Sequence, residues 1–222
     1  MSTPDSWPAH RTGRLSSQLD FVAEADKLKG VLRHTRLTVP PRLENSAEHS
    51  WHLALMALAL AEYAPAGTSL ARVLAMVVLH DVVEVDAGDL SVHADAAAQA
   101  RQHAAELAAA DRIFALLPPD QAAEMRAIWD EFEERKTAEA RFARALDRLQ
   151  PMLADVRAGG AAWREQGVTA DRVLAKVELI EDGSAELGRF ARRLIEQAVR
   201  DGILAPAPVP GDADLDNAAP GR

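Results

Sequence analysis

The stretch LARVLAMVVLHDVVEVDAGDL, residues 70–90, decides how this chain is read. Leu70, Leu74, Val77 and Asp81 are spaced 4, 3 and 4, which puts them on one face of a helix. Asp81 therefore stands where the apolar pattern reserves a core position. His80 beside it continues the row of Val73 and Met76. A buried carboxylate without a partner is costly, so folded proteins neutralise or compensate it. Ser69 is placed to cap this helix, which is expected to run to Asp81 or a little beyond, and Gly88 falls in the loop that follows.

Working outward, the same helical period recurs along the chain. A helix is expected over about 15–32, then an irregular stretch through Pro40 and Pro41. Asn45 and Glu48 have the spacing of a capping box and open a helix to about Tyr63. Further helices are expected over about 94–116, from Pro118-Pro119 to about Arg135, from Thr137 to Gly159-Gly160, and from Thr169 to Asp201 with a bend near Gly183. No run of alternating β-branched residues stands out. The expectation is an all-α, single-domain bundle of six to eight helices over 14–204. Residues 1–13, with two prolines, and 205–222, rich in Ala, Pro and Asp, are expected to be unstructured.

Composition narrows the function classes. The 222 residues carry 25 bases and 34 acids, a formal net charge of −9, which disfavours binding to a nucleic-acid polymer. There are 0 cysteines, which removes disulfides, thiolate metal sites and cysteine nucleophiles. No apolar run approaches the ~20 residues of a membrane span, and MSTPDSWPAH does not read as a secretion signal. A cytoplasmic protein without a membrane partner is the expectation.

Polar residues on apolar stripes point to the chemistry. His49 shares a face with Leu53, Met56 and Leu60, and Asp147 sits at the edge of the stripe Phe142, Leu146, Leu149, Leu153, Val156. With His80 and Asp81, they make two His and two Asp from three helices. Such an N/O set suits a divalent ion such as Mn, Fe, Co, Ni or Zn. His52, near His49, is a competing ligand on the same reasoning. Trp51, Trp129 and Trp163 read as packing residues.

The segments ENSAEHSWHLALMALALAEYA (44–64), LARVLAMVVLHDVVEVDAGDL (70–90) and AEARFARALDRLQPML (138–153) resemble the HD-domain metal-dependent phosphohydrolases. DKLKGVLRHTR (26–36) matches less tightly. The likeness is strongest to the 5′-deoxynucleotidase branch and spans about residues 15–200. The resemblance implies an HD-type bundle in which His49, His80, Asp81 and Asp147 hold a divalent metal ion (Mn, Co, Mg, Zn, Fe or Ni); His52 is not among the implied ligands. It also implies that Glu84 and Asp89 are catalytic acids, with a second ion near them in some members. Arg33, at the end of the first helix, would contact phosphate, and Asp89 could instead accept from a sugar hydroxyl. Arg42 is a further phosphate candidate on its position before the EHS helix. Relatives of this kind are commonly homodimers. One departure stands out: His34 follows Arg33 where deoxyribose-selective members usually carry Trp.

The activity so implied is phosphate release from nucleoside 5′-monophosphates, deoxy and ribo. Two alternatives stand beside it: hydrolysis of another small phosphorylated metabolite or nucleoside polyphosphate, and a helical protein that binds metal and nucleotide without turnover.

Overall fold

Capping chemistry sets most of the helix starts. In the computed structural model, which describes residues 13–208, side chains of Asn45, Ser69, Asp95, Thr137 and Ser184 each accept a hydrogen bond from a backbone N–H in the first turn of a helix. The elements run α1 (Arg14–Ala25), β1 (Leu32–Thr38), β2 (Pro41–Asn45), α2 (Ser46–Ala59), α3 (Leu70–Leu79), α4 (Glu84–Ala87), α5 (Ala96–Phe114), α6 (Pro119–Glu134), α7 (Ala138–Arg157), α8 (Ala161–Glu165), α9 (Ala170–Gly183) and α10 (Ala185–Arg200). Two of the helices, α4 and α8, are single short turns; the other eight form the bundle, as the helical periodicity predicts.

The helix α7 is the axis of this bundle, packed against α9, α3, α6, α2 and β1. Its stripe faces inward, with Leu153 and Val156 partly buried: Phe142 and Leu146 meet Leu53, Val73, Met76, Val77, Val177 and Ile180 in one apolar cluster. Gly183 lets α9 approach α7 closely. A Cβ there would stand 2.2 Å from the Arg141 carbonyl oxygen.

Several expectations are revised. The first helix stops at Ala25, and a short 3-10 turn over Asp26–Gly30 leads into an antiparallel hairpin of β1 and β2. This hairpin departs from the strand-free reading because the inward residues of β1 are Arg33 and Thr35, with Leu32 and His34 outward; the usual alternation is inverted. The third helix ends at Leu79, and the last one breaks at Ser184, which caps α10. Trp51 is not a packing residue: it is 67% exposed, whereas Trp129 and Trp163 are buried. The segments 1–13 and 205–222, expected to be unstructured, lie outside the described residues except at Gly13 and 205–208, where Ala205 bridges to Thr169.

Candidate metal centre

Three helices and one strand deliver the polar residues to a common point. The capping box at Asn45 fixes the start of α2, so His49 enters one turn later, wholly buried. The end of α3 turns at His80 and Asp81, anchored by buried Val82 and Val83 and by Trp129, whose Nε1 donates to the His80 carbonyl at 3.1 Å. Asp147 comes from the middle of α7. Pro151, four residues on, cannot donate to the Asp147 carbonyl, which loosens the helix at that position.

The geometry fits a cation. His49 Nε2 and His80 Nε2 lie 3.1 and 3.8 Å from Asp147 Oδ1. Asp81 Oδ1 is 2.9 Å from His80 Nε2, and Asp81 Oδ2 is 4.0 Å from His49 Nε2. The opposite ring nitrogens are already committed. His49 Nδ1 donates to Gln150 Oε1 at 3.0 Å, and Gln150 Nε2 donates in turn to Glu44 Oε1 at 2.8 Å. His80 Nδ1 donates to the Val77 carbonyl at 3.0 Å. With both protons on Nδ1, the two Nε2 lone pairs point at carboxylate oxygens, an arrangement that a metal ion completes. His80 Nε2 is buried without a well-formed hydrogen bond. Ligand atoms of His49, His80 and Asp147 all lie within 4.8 Å of one another.

Electrostatics agrees with the geometry. Burial, reinforced by Arg33, pulls His49 down to about 4, so it is neutral as a ligand must be. Burial would lower His80 too, but Asp81 and Asp147 overcome it and hold it up at about 10; a proton and a metal ion compete for that nitrogen. Burial works against the charge of Asp81, yet His80 and Arg33 bring it down to about 2. Asp147 likewise lies well below the usual range, with Arg148 and both histidines outweighing burial.

Arg33 forms the wall beside these ligands. Its Nη1 donates to Asp81 Oδ2 at 2.9 Å and lies 3.3 Å from Asp89 Oδ1 and 3.8 Å from Glu84 Oε1. Its Nε is buried without a hydrogen bond, 3.7 Å from Glu44 Oε2. Glu84 accepts from Ser46 Oγ at 2.5 Å. Burial, together with the charge of Asp81, raises Glu84 well above the ordinary carboxylate range, and burial also raises Asp89. Arg33, His80, Asp81, Glu84, Asp89 and Asp147 line one cavity of about 300 Å³.

Of the residues singled out in the sequence, the structure gathers His49, His80, Asp81, Asp147, Arg33, Glu84 and Asp89. It does not bring Arg42 there: Arg42 is exposed and pairs with Glu48 through Nη1 to Oε2 at 2.8 Å. Arg33 is on a strand rather than at a helix end. His52 turns toward Gln150 and does not line the cavity. Sequence reasoning missed Glu44, Gln150, Arg144 and Arg148. The last three stand within one helical turn of Asp147, so the stripe on α7 carried the signal.

The HD-domain family profile matches residues 25–187. The chain belongs to the HD-domain family. A crystal structure of a protein from Magnetospirillum magnetotacticum MS-1, described as a predicted metal-dependent phosphohydrolase, superposes on this HD-domain protein with TM-score 0.83 and 52% identity, covering 87% of this chain and 96% of that one. The 5′-deoxynucleotidase HDDC2 of Xenopus laevis is 30% identical over 141 residues, 62% of this chain and 67% of its own length. Its human counterpart is 30% identical over 112 residues, 50% and 53% of the two chains, so the match spans about half of that relative. A conserved hypothetical protein from Pyrococcus furiosus shares the fold at TM-score 0.57 and 23% identity. Among the described residues no helix is long and apolar enough to cross a membrane.

Proposed function

We propose that this hydrolase releases phosphate from nucleoside 5′-monophosphates, using a divalent metal ion held by His49, His80, Asp81 and Asp147. The observation that carries the reading is the convergence of two imidazole Nε2 atoms and two carboxylates beside a buried arginine whose Nε makes no hydrogen bond. The relatives add support: one is named a 5′-deoxynucleotidase and another is described as a metal-dependent phosphohydrolase. When bound, the ion polarises a phosphoryl oxygen and lowers the pKa of water.

The remaining work falls to the chain's own side chains. Arg33 receives the phosphate with its planar guanidinium, whose fork matches two phosphate oxygens. Glu84, whose proton affinity burial and Asp81 raise, gives a proton to the 5′ oxygen as the P–O bond breaks and water adds to phosphorus. Asp89 accepts from a sugar hydroxyl or joins Glu84 around a second ion. The N/O donor set takes Mn, Co, Mg, Zn, Fe or Ni, and availability selects among them. A homodimer belongs to the same reading; Trp51, Leu55 and Leu58, exposed on one face of α2, support it, and light scattering tests it.

The test is orthophosphate release from a panel of ribo- and deoxyribonucleoside 5′-monophosphates by chelator-stripped protein with each metal restored. Metal-dependent release is expected. Absence of release from every substrate with every metal would overturn the reading.

A further inference from the structure

Among its seven carboxylates, the cavity also holds a cluster of basic side chains beyond the one arginine that a single phosphate requires. Besides Arg33 it is lined by Arg135, Arg144, Arg148 and Lys176, in a chain of formal net charge −9. These come from the end of α6, from successive turns of α7 and from α9. Like charges one turn apart, as at Arg144 and Arg148, are destabilising in themselves.

The carboxylate of Asp147 divides this space. Its Oδ1 faces His49 and His80, while its Oδ2 faces Arg144 Nη1 at 3.2 Å and Arg148 Nη2 at 3.7 Å. The two arginines thus lie on the far edge of the carboxylate from the imidazoles. Glu133 takes up Arg144 Nη2 at 3.1 Å, but the Nε atoms of Arg144 and Arg148 are buried without partners. Arg135 and Lys176 have no ion pair among the described residues; Arg144 and burial lower the proton affinity of Arg135, and burial, with Arg148 and Arg135, lowers that of Lys176.

Arg135 adds an independent sign. Its φ of 57° makes it the one non-glycine residue with positive φ among the described residues. An L-residue in this region is strained by roughly 1–2 kcal/mol, and glycine would end α6 there without strain. Strain of this kind gathers at functional positions, and here it holds a guanidinium at the cavity.

We propose that Arg135, Arg144, Arg148 and Lys176 form a second anion subsite, so that the favoured substrate is a nucleotide carrying a phosphate group besides the one released. The inference rests on the phosphohydrolase reading for its reacting phosphate. The subsite itself needs only the four cations, which outnumber the two carboxylates paired with them, Asp147 and Glu133, and whose arginine forks match phosphate oxygens.

Two measurements on the full chain test it. Calorimetric titration of chelator-stripped protein with inorganic phosphate should show binding that weakens at least tenfold in the double variant Arg135→Gln, Lys176→Gln. Metal-restored protein should then be compared on a nucleoside 5′-monophosphate, the 5′-diphosphate and the 3′,5′-bisphosphate. The kcat/KM ratio of one of the doubly phosphorylated substrates to the monophosphate should exceed one and fall at least tenfold in the variant; which substrate does so locates the second phosphate. Equal phosphate binding by both proteins, or a ratio the substitutions leave unchanged, would overturn the subsite. Should the double variant fail to fold by circular dichroism, Lys176→Gln alone is read the same way. If no nucleotide is hydrolysed, the phosphohydrolase reading fails while the phosphate titration still judges the subsite.

Discussion

Replacing Asp155 by asparagine should change how the stability of this protein responds to pH. Asp155 lies on α7, is buried, and has an Oδ1 without a hydrogen-bond partner. Burial, with a smaller contribution from Glu44, pushes its carboxyl from the ordinary 3.8 up to about 7. Between about pH 4 and 7 the unfolded chain has lost this proton and the folded chain keeps it. The folded state binds more protons, so stability falls as pH rises through that window and levels off above it. Each pH unit of separation is worth 1.36 kcal/mol, which sets an upper bound of about 4 kcal/mol for the full window. Asparagine has no proton to lose, and any constant effect of the amide cancels between two pH values. Urea unfolding of both proteins in chelator at pH 4.5 and 8 measures the difference. The variant should gain about 2–3 kcal/mol on the wild type between these conditions. An equal stability difference at both pH values, or a variant that loses ground at pH 8, would refute the buried, proton-holding carboxyl.

Three further substitutions test the site and its frame. Glu84→Gln should retain the metal, measured by elemental analysis, and lower kcat by ~10²-fold or more if Glu84 moves the proton; a loss of a few-fold would remove it from that role. Gln150→Leu strands both His49 Nδ1 and Glu44, and metal affinity in competition with a chromophoric chelator should fall by about 10–100-fold. Unchanged affinity would show that Gln150 does not orient the ligand. Gly183→Ala forces a Cβ to 2.2 Å from the Arg141 carbonyl oxygen and 2.8 Å from the Ala145 Cβ. Unfolding free energy should drop by about 1–3 kcal/mol or more, and wild-type stability would contradict the close packing of α9 on α7.

The bundle was legible from its regular helical period, and the candidate metal ligands because they break it. Asp81 sits at a stripe position filled elsewhere by Leu or Val, and burial at 8% explains why its neighbours look like core. His49 and Asp147 are found by the same logic on α2 and α7. The hairpin was hidden for the opposite reason. Its inward residues are charged or polar because they face the cavity, so β1 shows none of the alternation that marks an ordinary strand. Arg33 was therefore assigned to a helix end although its chemical company is as expected. Arg42 was misplaced because sequence proximity to α2 says nothing about which side of β2 a residue takes; it faces solvent and Glu48. Gln150 and the arginines around Asp147 went unseen because polar residues near a stripe edge look like an ordinary solvated face until the helix packs.

In the proposed reading, one ion held by His49, His80, Asp81 and Asp147 is the working part of this HD-domain protein. The most direct test titrates a divalent metal into chelator-stripped wild type and Asp147→Ala, measuring bound metal and phosphate release on the same samples. Wild-type release should rise in proportion to the first equivalent bound, while Asp147→Ala, still helical by circular dichroism, should bind at least 10²-fold more weakly and show almost no release at the same metal concentrations. Wild-type metal affinity in Asp147→Ala, or full release from metal-free protein, would contradict the account.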